Sequence, residues 1–114
     1  MTIRRLARNE WNGFCLHVTR HLVGKQVEME VLSLDIGSQT EVRRQPLFGM
    51  AYDPVSDVLE LVFADLDHLV HAPREFYVDE DTVGIVILQI IDSSGMRQIL
   101  TMRDPLLLPA PARD

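Results

Sequence analysis

Apolar residues in the first quarter of the chain recur at helical spacing. Trp11, Phe14, Cys15, Val18 and Leu22 fall on one stripe about 100° wide when wound at 100° per residue. Asn9 suits the N-cap and Gly24 the left-handed stop, which predicts a helix over 9–23. Gly13 lies inside it, at a cost of about 1 kcal/mol relative to alanine. Beyond Gly24 the period becomes two. Val27, Met29 and Val31 alternate with Gln26, Glu28 and Glu30, the pattern of a half-buried strand. Leu32 and Leu34 fall out of phase, which predicts a bulge or a second covered face.

Turn chemistry divides the remainder. Asp35-Ile36-Gly37-Ser38 is a turn, and Thr40 to Gln45 is polar on both faces, the protruding base of a hairpin. Pro46 belongs at an edge or a bulge. Leu47–Tyr52 and 58–63 are strands joined through Asp53-Pro54, where aspartate accepts from the amides ahead of it and proline presets φ. Leu66, Leu69 and Val70 read as one helical turn ended by Pro73. Phe76 and Val78 start another strand, and Asp79-Glu80-Asp81 reads as a solvated loop. Ile85 to Ile91 is apolar on both faces and is expected to be the central strand, covered by the helix and by a curled sheet or a partner. Asp92 to Gly95 is a hairpin loop, 96–102 is the last strand, and Asp104-Pro105 stops it. The sum is an α+β fold: one N-terminal helix packed on a strongly twisted antiparallel sheet or small open barrel of about six strands. No crossover is long enough for parallel pairing. Residues 1–108 are expected to form a single domain and 109–114 a disordered tail.

Composition changes this picture little. A chain of 114 residues, 46% hydrophobic and 25% charged, can build an ordinary globular core. No apolar run approaches the ~20 residues that cross a bilayer, and the start MTIRRLARNEW lacks an apolar signal core. A lone Cys15 forms no internal disulfide, so a cytoplasmic setting is the expectation. Charge matters more. The net charge of −6 divides into about +4 over residues 1–25 and −10 over the rest. An acidic body repels phosphate, so nucleic acid is a poor partner for most of the surface.

Candidate chemistry is sparse. His17 and His21 stand four apart on the helix, a spacing that can clamp a metal, but spacing implies no third ligand. If 66–72 is helical, His68 and His71 share its outer side near Arg74 and Glu75, which makes these four the candidate site. Asp53, Asp57, Asp65 and Asp67 have turn or cap roles that already need aspartate. Cys15 sits on the buried stripe, without the electropositive, accessible setting of a nucleophile. There is no phosphate loop, nucleophile elbow or CxxC pair, and no cofactor is expected.

The segments YDPVSDVLEL (52–61), DHLVHAPREFYVDE (67–80) and DSSGMRQILTMRDPLLLPAP (92–111), with the pattern EW…L…GKQVEMEVLSLD over 10–35, resemble a family of small uncharacterised bacterial proteins, catalogued only as a domain of unknown function. The resemblance implies a bacterial origin and supplies no catalytic residue. Three readings follow. The first is a non-enzymatic, self-associating module, a homodimer, resting on the two-faced strand 85–91 and the opposed charges of helix and body. The second is a small-molecule or metal-binding protein using the region from Asp67 to Glu75. The third is RNA binding by analogy to Sm-like small barrels, which needs Arg4, Arg5, Arg8, Arg43 and Arg44 on one patch.

Overall fold

Backbone pairing organises this chain more than its helix does. The computed structural model describes residues 2–22, 24–33, 35 and 37–108, without the side chains of Glu41 and Pro105. The expected tail 109–114, together with Leu34 and Ile36, lies outside the described residues. Among the described residues there are eight strands: β1 (Thr2–Arg5), β2 (Gln26–Ser33), β3 (Gly37–Asp53), β4 (Val58–Phe63), β5 (Asp67–His71), β6 (Pro73–Glu80), β7 (Ile85–Asp92) and β8 (Arg97–Leu106). They form one open sheet in the order β1-β6-β7-β8-β2-β3-β4-β5. Every pairing is antiparallel, as short connections require.

The α+β class with one helix is therefore correct, and the number of about six strands is not. The helix α1 spans Trp11–His21 and follows a 3-10 turn at Arg8–Glu10. Asn9 is not its cap; the Glu10 carboxylate reaches back to the Ala7 amide at 2.9 Å instead. Gly24, at φ +67°, stops the helix in the left-handed conformation, as expected. Two strands were hidden from the periodicity. β1 is only four residues and exposed throughout, so no burial pattern marks it. β5 replaces the expected helical turn. One helical turn leaves most of its backbone groups unpaired, whereas β5 joins β4 along its whole length, from Val58 opposite His71 to Val62 opposite Asp67.

The long β3 is the bend of the sheet. Its first half pairs with β2 and its second half with β4. Between them the register slips beside Arg43 and Arg44, and Arg44 has φ +44°. Pro46 stands opposite Gln26, beside this irregularity, in accord with its expected place at an edge or a bulge. Asp79-Glu80 is not loop but the end of β6, and Asp104-Pro105 does not stop β8, which runs on to pair Leu106 with Ile85.

Burial alternates along β4 and most of β2 and β6, while in β7 the neighbours Ile90 and Ile91 are both buried. Val27, Met29, Leu59, Leu61, Phe76, Val78, Leu88, Ile90 and Leu100 face inward with Trp11, Cys15 and Val18 of α1, in one apolar cluster. The helix packs most closely against β3, and its Trp11 and Phe14 meet Phe76 of β6. β7 lies between β6 and β8 and buries Leu88 and Ile90 on the inner face. The Cα radius of gyration is 13.4 Å, close to the ~13 Å of a compact chain of this length.

Candidate functional site

The four candidate residues from the sequence do not share one surface. In a strand, residues three apart point to opposite faces. His68 stands opposite Leu61 on the inner face of β5 and is half-buried, while His71 stands opposite Val58 on the outer face and is exposed. Ala72, at φ +50°, turns the chain sharply into β6. Glu75 then lies on the outer face of β6, where Tyr77 Oη donates to its carboxylate at 2.7 Å and Arg5 stands 3.8 Å away. Arg74 is exposed. β5 is an edge strand and β6 sits near the other edge, so the quartet straddles the two ends of the sheet.

His17 and His21 do meet on α1, with ring centroids 5.1 Å apart and edge to face. Among the described residues no three His, Cys, Asp or Glu side chains are grouped so as to hold a metal ion. Cys15 is fully buried, and burial pushes its thiol up to about 12, which makes it an inert core residue.

A convergent polar set does exist, at the corner between β5 and β6. Arg8 donates to Tyr52 Oη at 3.0 Å, to Asp57 Oδ1 at 3.1 Å and to the Pro73 carbonyl at 3.0 Å. Tyr52 Oη donates to the same Asp57 oxygen at 2.7 Å. The guanidinium lies 4.5 Å from the Trp11 ring centre, and Trp11 meets Tyr52 edge to face at 5.1 Å. Burial, then the bond and charge of Asp57, hold the Tyr52 hydroxyl above its ordinary pKa, and Arg8 opposes them. Every polar atom named here is engaged, and the set clasps the 3-10 turn, the β3–β4 connection and the start of β6 together. It also holds Asp57 at φ +56°. Its members lie at 8, 11, 52, 57 and 73, a spacing that no local pattern reveals.

A further surface is the outer face of the sheet. Register and alternation define three rows across it. One reads Ile3, Asp79, Ile87, Thr101, Glu28. The next reads Arg5, Tyr77, Gln89, Ile99, Glu30. The third reads Glu75, Ile91, Arg97, Leu32. Ile3 is 69% exposed, Ile87, Ile99 and Leu32 are half-buried, and Ile91 is buried. Among the described residues the one element that packs across the sheet is α1, on the inner side. One carboxylate oxygen of Asp79, between Ile3 and Ile87, is buried with no described hydrogen-bond partner. The hydroxyl bond to Glu75 is the first cause that raises the Tyr77 pKa, with Arg5 and Arg97 acting against it.

The arginines required for nucleic-acid binding are dispersed. Arg4 pairs with Glu80 at 3.3 Å, Arg5 faces Glu75, Arg8 belongs to the clasp, and Arg43 and Arg44 stand exposed at the bend of β3. No helix in the described chain is long and apolar enough to cross a membrane.

Comparison with known proteins agrees with the resemblance read from the motifs. An uncharacterised protein of Aquifex aeolicus is 34% identical over 110 residues, covering 96% of this chain and 99% of its own length. No solved structure matches the chain. The family model described as a family of unknown function, DUF5335, matches residues 2–111, and the chain belongs to that family.

Proposed function

We propose that this protein acts as a non-enzymatic interaction module that pairs with a second copy through the outer face of its sheet. The carrying observation is the three-row face, which leaves Ile3 exposed and Ile87, Ile99 and Leu32 half-buried and holds a buried, unpartnered oxygen of Asp79. Apolar atoms on a sheet face lower the free energy when water leaves them, and an orphaned acceptor gains from a donor brought by a partner. Charge favours an isologous arrangement. Arg5 lies at the β1 end of the middle row and Glu30 at the β2 end. A two-fold axis near β7 sets each over the other in the partner. A standard interface of about 800 Å² per partner takes little more than a tenth of the 6921 Å² surface, which the five strands of this face can supply.

Sedimentation equilibrium of the full chain at micromolar concentration is expected to give a dimer. Ile87→Glu, which places a charge on β7, the middle strand of the face, is expected to give a monomer with unchanged far-ultraviolet dichroism. A wild-type protein that stays monomeric at those concentrations sinks the reading.

A further inference from the structure

β5 ends the sheet. It pairs with β4 along one edge, and among the described residues no strand pairs with its other edge. Two hydrogen bonds fix the phase of the β4–β5 ladder: the Phe63 amide to the Leu66 carbonyl at 2.7 Å, and the Ala72 amide to the Asp57 carbonyl at 2.9 Å. Bonded and non-bonded pairs alternate in an antiparallel ladder. His68 and Val70 therefore exchange bonds with Leu61 and Leu59, while Asp67, Leu69 and His71 turn their N–H and C=O groups to the free edge. Such an open row is a template for another strand, and edges are usually guarded by lysine, proline or a bulge. β5 has none of these: it reads DHLVH and keeps an unbroken register with β4.

The edge is complementary to itself. Laid antiparallel on a second copy with Leu69 opposite Leu69, it sets Asp67 opposite the partner's His71 and His71 opposite the partner's Asp67. That register pairs all three outward residues, so every N–H and C=O on the free edge gains a partner. A register centred on His68 would put His71 opposite Asp65 in the turn, and one centred on Val70 would put Asp67 opposite Pro73, which has no N–H. The side chains of Asp67, Leu69 and His71 are all exposed and share the outer side of β5. An imidazole N–H donates to a carboxylate whether the ring is neutral or cationic, and Asp67, which accepts from the Glu60 carboxyl, keeps further acceptor sites.

We infer that two copies of this chain pair edge to edge through β5, antiparallel about a two-fold axis at Leu69, with Asp67 and His71 bonded across the seam. The contact is separate from the outer face of β1, β6, β7, β8 and β2 and does not rest on it. A five-residue seam is far smaller than the ~800 Å² per partner of a standard interface, so it is expected to form with a Kd on the order of 0.1–1 mM.

The test uses Ile87→Glu, in which the outer face is disabled. Sedimentation equilibrium at pH 7 from about 10 μM to about 1 mM is expected to show growth from monomer towards dimer over that range. The amides of Asp67, Leu69 and His71 are expected to gain protection from hydrogen exchange as the protein is concentrated. His71→Asp, which sets carboxylates opposite each other twice, is expected to weaken pairing about tenfold or more. Adding Asp67→His to it restores opposite charges and is expected to recover the pairing. Leu69→Pro removes an N–H that β4 does not use, and is expected to abolish pairing with the fold kept; if it fails to fold, the charge exchange carries the test. A monomer at 1 mM overturns the inference, as does pairing that His71→Asp leaves undiminished or that the exchange does not recover. So does a response of the same three amides to an added extended peptide but not to concentration, which would assign the edge to another protein's strand. Wild type that is monomeric at micromolar concentration but pairs near 1 mM would sink the outer-face reading alone.

Discussion

Gln98 is 2% exposed on the inner face, between Ile90 of β7 and Val31 of β2, and its Oε1 has no described partner. An unsatisfied buried acceptor costs about 1–3 kcal/mol, so Gln98→Leu is expected to leave stability unchanged or raise it by about 1 kcal/mol, read from urea unfolding. A loss of that size instead would mean that the amide has a hydrogen bond worth keeping. A second residue-scale case is Glu60. Its carboxyl group bonds to that of Asp67 across β4 and β5, and that bond, followed by the Asp67 charge, raises its pKa. The folded chain thus holds this proton more tightly than the unfolded chain. The resulting stabilisation is complete below the unfolded value and is lost as pH rises through the raised folded one. Glu60→Gln should therefore increase the melting temperature relative to wild type at neutral pH, with the gain gone near about pH 4. An equal gain at both pH values would refute the shared proton.

The turns show how far single elements can be read locally. Asp53 accepts from the Val55 amide and the Ser56 hydroxyl, and Asp92 from the Ser94 and Met96 amides, the roles their sequence contexts imply. The segment 66–72 shows where such reading fails. Three apolar residues at i, i+3 and i+4 are too few to separate a helical turn from a strand, and pairing with β4 decides it. Val70 then goes inward, while Leu69 is 45% exposed. The clasp belongs to this scale as well, because it ties the 3-10 turn to the β3–β4 connection and to the start of β6. Arg8 and Asp57 are both partly exposed, so solvent screens the pair. With the Tyr52 and Pro73 bonds and the Trp11 stacking added, Arg8→Ala is expected to cost about 1–2 kcal/mol in urea unfolding. Arg8→Lys should recover only part of that, since an ammonium lacks the planar fork.

At the scale of the molecule, connectivity explains the curl. One residue, Ala72, separates β5 from β6, yet five strands lie between them in hydrogen-bonding order. The sheet must bend until its ends approach, and the bonds from the Ala72 amide to the Asp57 carbonyl and from the Ser93 amide to the Ala72 carbonyl bind the corner at 2.9 Å each. The inner face thereby closes over its own core, and the outer face of β1, β6, β7, β8 and β2 is turned away from it. Self-association makes thermal stability depend on protein concentration, so the dimerisation proposed above should also appear as a melting temperature that rises with concentration in wild type and not in Ile87→Glu.

The sequence by itself determined the antiparallel α+β class, the helix and its Gly24 stop, the aspartate turns and the buried stripe. Each of these depends on residues within a turn or a strand of one another, where periodicity and φ preferences act directly. Only the tertiary structure decided that 67–71 is a strand, that β3 is one bent strand of 17 residues, that the helix covers β3, and that His68 and His71 point apart. It also assembled Arg8, Tyr52 and Asp57, which are distant along the chain, and aligned five strands into an outer face of mixed apolar and charged rows. Those outcomes depend on which strand lies beside which, and strand order is set by long-range pairing that no local pattern encodes.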